Sequence, residues 1–444
     1  MVRLFYLSGR EAGVAVYERH QQVMSKISAP KGTRDILPPE TAAWQHAERV
    51  FADVCGRFGY QEIRIPTFEQ TELFQRGVGD TTDVVQKEMY TFEDKGGRSM
   101  TLRPEGTAGV VRSYLENGMA SWPSPVRLFY NITAFRYEKM QKGRYREFHQ
   151  FGCEAFGSAG PVVDAEMVSL LDLFFRELGL KETSLRINSI GCPTCRTEYN
   201  QKLKEYLKPH LDKLCDTCQT RYDKNPLRII DCKEPGCRPY VQEAPALLDN
   251  LCPDCQAHFN GFCNNLDELG LKYTIDKGIV RGLDYYTRTV FEFVSEHVGT
   301  QGTICGGGRY DGLVAEMGGQ PTPGIGFALG VERLLMELQQ QQATMPEPAG
   351  ITVYIAALGS GAAAEARRWT LRLRTLGVRA ETDLLQRSLK AQLKYAGKLG
   401  VRYTVVIGED EIKTGKIKFK DMRQHSEQEM SFEQAEQLLI EGDE

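Results

Sequence analysis

Apolar positions along this chain change period several times, and each change marks an element. Over residues 41–57, Trp44, Ala47, Val50, Phe51 and Val54 recur at helical spacing. Gly59 stops that helix, and 61–65 reads as a strand ended by Pro66. A helix follows at 105–117, after the turn LRPEGTA. Residues 126–156 then hold two strand-forming stretches around a short basic loop, 140–144, with Gly143 near its tip. Residues 164–178 return to helical spacing and 184–190 to a strand. Beyond a cysteine-rich stretch, strand patterns resume at 272–275 and 285–294. The glycine-rich 306–312 comes next, then a strand-to-helix run at 324–338.

The run QQQQATMPEPAG, 339–350, has the composition of a linker. After it the rhythm shortens. Strands at 353–358, 378–382, 403–407 and 416–420 alternate with helices at 363–376 and 389–399. Ser431 opens a last helix, with Gln434 placed for a capping box. This is a small α/β domain. Residues 1–27 read as an extension, with Met24 an alternative start. The expected plan is that extension, a core at 28–338 interrupted by a cysteine-rich insertion at 192–265, the linker 339–350, and a domain at 351–444.

Composition narrows the classes. The 444 residues are 41% hydrophobic and 26% charged, as in an ordinary soluble protein. No stretch reaches the ~18 apolar residues that would span a membrane. The first apolar runs are broken by Arg10, Glu11, Glu18 and Arg19, a poor secretory signal, so the cytoplasm is the expected location. A net charge of -4 gives no hint of nucleic acid, so any RNA contact must come from local patches. Arg387, Lys390, Lys394 and Lys398 form one such stripe, which reads equally as a solvated helix face.

The hairpin at 126–156 carries the densest chemistry. Side chains alternate between faces of a strand. Arg136 and Glu138 therefore share one face, and Arg146, Phe148, Gln150, Gly152 and Glu154 share another. Buried charges are costly unless paired or liganded. Taken singly, Arg136 is an ordinary salt-bridge partner. Together with Arg144, Phe148, Gln150 and Glu154 it suits a ligand with anionic groups, a cationic group and an aromatic base, such as ATP plus an amino acid. Arginine's planar fork suits phosphate and carboxylate. The run RGLDYYTRTVFE from Arg281 is polar at nearly every position, unlike a plain amphipathic strand. The glycines at 306–308 allow a close backbone approach, or form a flexible turn; they lack the Lys-Ser/Thr of a P-loop. Arg333 begins a helix after a glycine-rich strand.

There are 12 cysteines, nine of them between Cys192 and Cys263. With no export signal, close pairs favour metal ligation over disulfides. Cys192, Cys195, Cys215 and Cys218 give C-x2-C-x19-C-x2-C, within the range of zinc sites. Cys232, Cys237, Cys252 and Cys255 offer a second set. The alternative is partly buried free thiols.

Residues 59–66 (GYQEIRIP), residues 135–154 and residues 324–333 (GIGFALGVER) resemble motifs 1, 2 and 3 of the class II aminoacyl-tRNA synthetases. The stretches RGLDYY at 281–286 and GGGRY at 306–310 resemble the histidyl-tRNA synthetase branch. The resemblance covers essentially the whole chain. It implies an α+β catalytic domain with an antiparallel sheet, an insertion between motifs 2 and 3, a C-terminal α/β anticodon-binding domain and a homodimer. It also implies attachment of L-histidine to tRNA(His) through a histidyl-adenylate, with MgATP as substrate. By position, Arg136 and Arg281 would hold the α-phosphate and carboxylate, and Arg144 and Arg333 the outer phosphates. Phe148 would stack on adenine and Glu138 hold its amino edge. Asp80, Thr82 and Gln150 would receive the substrate amine or carboxylate. Glu154 and Tyr286 would read the imidazole, with Tyr285 and Tyr310 closing the pocket. Asp80 stands where many relatives have glutamate. The insertion is richer in cysteine than usual, so zinc is not implied by the resemblance.

Two rivals remain at this point. One is a non-catalytic, synthetase-like regulatory subunit of ATP phosphoribosyltransferase. Such proteins lose the anticodon domain and several catalytic positions, whereas Arg136, Arg144, Arg281 and Arg333 are all present here. The other is a zinc-dependent RNA-binding module without catalysis.

Overall fold

The computed structural model describes residues 27–79, 82–295, 302–346 and 348–441. The N-terminal extension, apart from Ile27, and Asp80 lie outside them. The chain divides into two compact units, 1–346 and 347–444.

In the first unit, α1 (Glu40–Arg57) buries Trp44, Ala47, Phe51 and Val54, the stripe its spacing predicts. Strand β1 (Gln61–Glu62) is shorter than the expected 61–65. Arg103 takes the carbonyls of Ile65 (2.6 Å) and Pro66 (3.2 Å), so that backbone is satisfied without a strand neighbour. β2 (Phe68–Gln70), α2 (Thr71–Val78), β3 (Thr91–Glu93) and β4 (Ser99–Leu102) follow, the three strands pairing in the order β2-β4-β3. Then come α3 (Thr107–Glu116), β5 (Val126–Phe135), β6 (Glu147–Phe156), α4 (Val162–Glu177) and β7 (Ser184–Ser189). The insertion supplies α5 (Pro193–Leu207), α6 (Asp216–Lys224), α7 (Arg238–Gln242) and α8 (Pro253–Glu268), joined by short 3-10 turns. β8 (Tyr273–Ile275), β9 (Thr287–Val294), β10 (Thr303–Arg309), α9 (Leu313–Glu316), β11 (Gly324–Gly330) and α10 (Val331–Gln340) complete the unit.

Eight strands form one sheet, β1-β5-β6-β11-β10-β9-β7-β8. It is antiparallel from β5 to β7 and parallel only at the two edge pairs. Alternation sorts its two faces. Phe129, Phe151, Cys153, Phe291 and Phe327 join α1, α4 and α10 in the larger core. Leu128, Tyr130, Ile132, Phe156 and Val290 face the other way, with Tyr114 of α3 and Tyr199 of α5. That second face carries the site. The glycine run, read from sequence as a close backbone approach or a flexible turn, lies in strand β10. Gly307 lies opposite both Phe291 and Phe327, and a Cβ there would meet those side chains at 2.6 and 2.7 Å. Glycine lets this strand pass between two rings.

The second unit contains β12 (Val353–Ala357), α11 (Ser360–Thr375), β13 (Ala380–Thr382), α12 (Leu389–Leu399), β14 (Tyr403–Ile407), α13 (Glu409–Thr414), β15 (Lys416–Asp421), β16 (Ser426–Ser431) and α14 (Phe432–Glu441). Its mixed sheet runs β13-β12-β14-β15-β16. The Ser431/Gln434 box is formed: the Ser431 amide donates to Gln434 Oε1 (2.9 Å) and the Gln434 amide to Ser431 Oγ (3.3 Å). No helix among the described residues is long and apolar enough to cross a membrane.

Candidate active site

Strand β6 turns Phe148, Gln150, Gly152 and Glu154 onto the site face. Glu154 is wholly buried. It accepts hydrogen bonds from Thr107 Oγ1 (2.7 Å), Tyr130 OH (3.2 Å) and, closer still, Tyr310 OH. No Lys, Arg or His among the described residues pairs with it. Burial pushes its carboxyl up to about 8, against the pull of the Tyr310 and Thr107 hydroxyls; nearby Glu105 adds to the rise. Room for this acid is made on the neighbouring strand. Gly326 lies opposite Glu154, and a Cβ there would run into the carboxylate. Gln150 is also buried, and its Oε1 has no hydrogen-bond partner among the described residues. A buried acceptor left open in this way is a ligand contact in waiting.

An aromatic chain joins Glu154 to an arginine. Tyr310 packs edge-on to Tyr285 at 5.7 Å, and Tyr285 contacts Tyr286 at 4.6 Å. The Arg281 guanidinium lies 5.6 Å from the Tyr286 ring centre and pairs closely with Glu292. Glu292 in turn accepts from Thr303 Oγ1 at 2.9 Å. Gly306 lies beneath Arg281, and a Cβ there would occupy the guanidinium's position. Gly306 of β10 and Gly326 of β11 are therefore part of the floor beneath Arg281 and Glu154.

A row of charge continues along the hairpin. Arg136 Nε donates to Pro104 O (2.8 Å), and its guanidinium sits 5.5 Å from the half-buried Phe148 ring. Glu138 lies between Arg136 (3.7 Å) and Arg144 (3.3 Å). Arg333 donates to Thr303 O (2.9 Å). Burial lowers the Arg333 pKa, and the like charge of Arg144 lowers it further. Two arginines facing one another call for a polyanion.

Most residues singled out from sequence converge here: Arg136, Glu138, Arg144, Phe148, Gln150, Glu154, Arg281, Tyr285, Tyr286, Tyr310 and Arg333. Thr82 also has a local role. Its hydroxyl donates to Gly79 O (2.8 Å) and accepts from the Val85 amide (3.3 Å), capping the turn at 83–88. Two residues that the sequence reading passed over take part as well. Glu105 is buried and accepts from the amides of Thr107 (2.7 Å) and Ala108 (2.8 Å) at the start of α3. Thr107 thus bridges two buried carboxylates, through its amide to Glu105 and its hydroxyl to Glu154. The signal was the acid in the LRPEGTA turn, which reads as a plain helix cap.

The thiols group differently from the sequence expectation. Cys192, Cys195, Cys252 and Cys255 gather in one cluster, and Cys215, Cys218, Cys232 and Cys237 in another. The foursome Cys192, Cys195, Cys215 and Cys218 is not brought together. The reason is topological. The insertion leaves the sheet after β7 and returns through α8, so its first and last cysteine pairs meet at the neck.

A family profile described as Histidyl-tRNA synthetase matches residues 32–195 and 242–334, and one described as Anticodon binding domain matches 352–442. The chain is 62% identical over 405 residues to the histidine–tRNA ligase of Acetivibrio thermocellus, covering 91% of this chain and 97% of that protein. It is 55% identical over 408 residues to the histidine–tRNA ligase of Caldicellulosiruptor saccharolyticus, covering 92% and 97%. The apo histidyl-tRNA synthetase structure of S. aureus superposes with a TM-score of 0.80 at 38% identity, over 94% of this chain and 100% of that one.

Proposed function

The chain belongs to the histidyl-tRNA synthetase family, and from that premise we propose how its pocket activates histidine. The activity is ATP-dependent attachment of L-histidine to tRNA(His). In the first step a histidine carboxylate oxygen attacks the α-phosphorus of ATP, and pyrophosphate leaves. In the second, the terminal ribose hydroxyl of the tRNA attacks the acyl carbon, and AMP leaves with the bonding electrons.

The observation that carries the site reading is Glu154: a buried carboxylate with hydroxyl donors but no cation, in a pocket that also holds Glu105. Two buried acids suit a ligand with two proton-bearing ends. The imidazole N–H would meet Glu154, with Tyr286 at the other ring nitrogen. The ammonium would meet Glu105 and the open oxygen of Gln150. The ligand carboxylate then falls toward Arg136 and Arg281, where negative charge builds in the transition state. Phe148 would stack on adenine and Glu138 receive its amino group. Arg144 and Arg333 would take the outer phosphates of MgATP.

As further readings, two subunits would pair through residues 59–66, and the enzyme would act in the cytoplasm. The two thiol clusters are the places where the chain could hold a resident ion, and a compact set of four thiolates selects zinc. Incubation with labelled histidine, ATP and tRNA(His) tests the reading. One AMP should form for each histidyl ester. AMP release without acylated tRNA would contradict it.

A further inference from the structure

The insertion's eight paired cysteines form two nested sets. The outer pairs, Cys192/Cys195 and Cys252/Cys255, close the neck; the inner pairs, Cys215/Cys218 and Cys232/Cys237, close the tip. Within each set all ligand atoms lie within 4.8 Å of one another. Cys192 Sγ is 3.6 Å from Cys195 Sγ and 4.0 Å from Cys252 Sγ, and Cys215 Sγ is 3.9 Å from Cys232 Sγ. A tetrahedral ion with Zn–S bonds of about 2.3 Å sets its sulfurs about 3.8 Å apart. A disulfide would need about 2.05 Å, and a polynuclear iron–sulfur cluster would need wider spacing. Backbone amides also donate to the sulfurs as they do around bound thiolates. The Cys252 amide reaches Cys195 Sγ at 3.1 Å, and the Cys215 amide reaches Cys237 Sγ at 3.2 Å.

Packing alone gives no reason for such clusters. Between α5 and α8 the chain has only α6, the five-residue α7 and short 3-10 turns. Leu214, Leu227, Ile229 and Leu247 are buried there, but pieces this short do not hold their own backbone. Yet they make specific bonds to the catalytic loop. Arg196, next to Cys195, donates to Tyr286 O at 3.2 Å. Asn225, just past α6, donates to Asp284 Oδ1 at 3.0 Å, and Arg228 donates closely to Arg281 O. Arg221 of α6 pairs with Asp83 at 3.4 Å. The sequence 281–286 is thus held from outside by Arg196, next to Cys195, and by Asn225 and Arg228, between Cys218 and Cys232.

We propose that the insertion holds two zinc ions, one in each nested tetrathiolate set, and that together they brace the loop carrying Arg281 and Tyr286. The brace rests on the active-site reading above; the metal sites do not. Each ion replaces four thiol protons and contributes its binding free energy to folding of the insertion. The outer ion fixes Arg196 against Tyr286, and the inner ion fixes α6, Asn225 and Arg228 against residues 281–284.

Full-length, tag-free protein tests this in three readings. Elemental analysis should find two equivalents of zinc per chain, and zinc absorption spectra should fit four sulfurs at about 2.3 Å. Cys218→Ser and Cys255→Ser should each lower the content to one equivalent. In Cys218→Ser, amide exchange at 281–286 should quicken on the order of tenfold while strands β12 and β14 keep their protection. Less than half an equivalent of metal, iron in place of zinc, or a mixed nitrogen–sulfur shell would overturn the sites. Loss of both ions from either single variant would overturn their independence. Two ions with unchanged loop exchange in the variant would overturn the brace alone. The sulfur shell is read on the unaltered protein, so it decides the metal sites even if a serine variant does not fold.

Discussion

Glu154→Gln keeps the side chain's shape and removes its titration. Burial holds the Glu154 carboxyl at about 8, against an ordinary 4.5. Between those values the folded chain binds more protons than the unfolded one, so stability falls as pH rises. The contribution of the neutral carboxyl is full below about pH 4.5 and is lost as pH rises through about 8. At about 1.4 kcal/mol per pH unit, the loss is on the order of 3 kcal/mol by pH 7 and 5 kcal/mol by pH 9. The amide carries no such dependence. Calorimetry of the empty protein should therefore show the variant's melting temperature gaining on the wild type from pH 5 to about pH 8 and levelling off by pH 9. Parallel curves across that range would refute the assignment of a strained, cation-free acid. The same variant should need more histidine. An imidazole N–H placed on Glu154 would favour its ionised form, and losing a hydrogen bond to a charged group costs about 1.5–3 kcal/mol, or about 10- to 150-fold in half-saturating histidine during pyrophosphate exchange. Half-saturating ATP should move by less than about threefold. Equal loss for both substrates would make Glu154 a structural residue.

Arg281→Ala removes a fixed cation from the place where charge builds. Adenylate formation should slow by about 10²–10³-fold, matching about 2.7–4 kcal/mol, and near-normal exchange would take Arg281 out of that role. Gly306→Ala would put a methyl where the Arg281 guanidinium sits against Glu292, so exchange should fall as it does in Arg281→Ala; unchanged exchange would mean that the guanidinium need not sit there. Asp164 is buried, bonded to Arg309 Nε at 3.0 Å and His258 Nε2 at 2.9 Å. Asp164→Ala takes away the wholly buried partner of Arg309 and leaves it only the partly exposed Asp311 (3.1 Å), and should cost about 3–5 kcal/mol, seen as a lower denaturant midpoint; an unshifted midpoint would show that Asp311 and the Ser158 and Gly160 carbonyls satisfy Arg309 without it.

What could be read from sequence follows from how each element is held. Helix α1 and the β5–β6 hairpin declared themselves because apolar side chains repeat on one face against a large core. The face of Phe148, Gln150 and Glu154 was legible for the same reason, since period two fixes which residues share a side. Strand β10 was hidden because Gly306, Gly307 and Gly308 carry no side chains. Their absence makes room for Arg281, Phe291 and Phe327, a demand set by neighbours distant in sequence. Edge strand β16, Ser426–Ser431, is polar and half exposed, so alternation left little trace. The cysteine grouping failed for a topological reason. Spacing reports which thiols are close along the chain, whereas the neck of the insertion joins its first pair to its last. Thr82 and Thr107 look alike in sequence, and only the fold shows that one hydroxyl bonds within a local turn and the other reaches Glu154.

The central claim is that this pocket activates histidine and no other amino acid. Exchange of labelled pyrophosphate into ATP, measured on purified, tag-free protein with each of the twenty amino acids in turn, tests it most directly. Label should enter ATP with L-histidine alone. No exchange with histidine, or equal exchange with any other amino acid, would contradict the account.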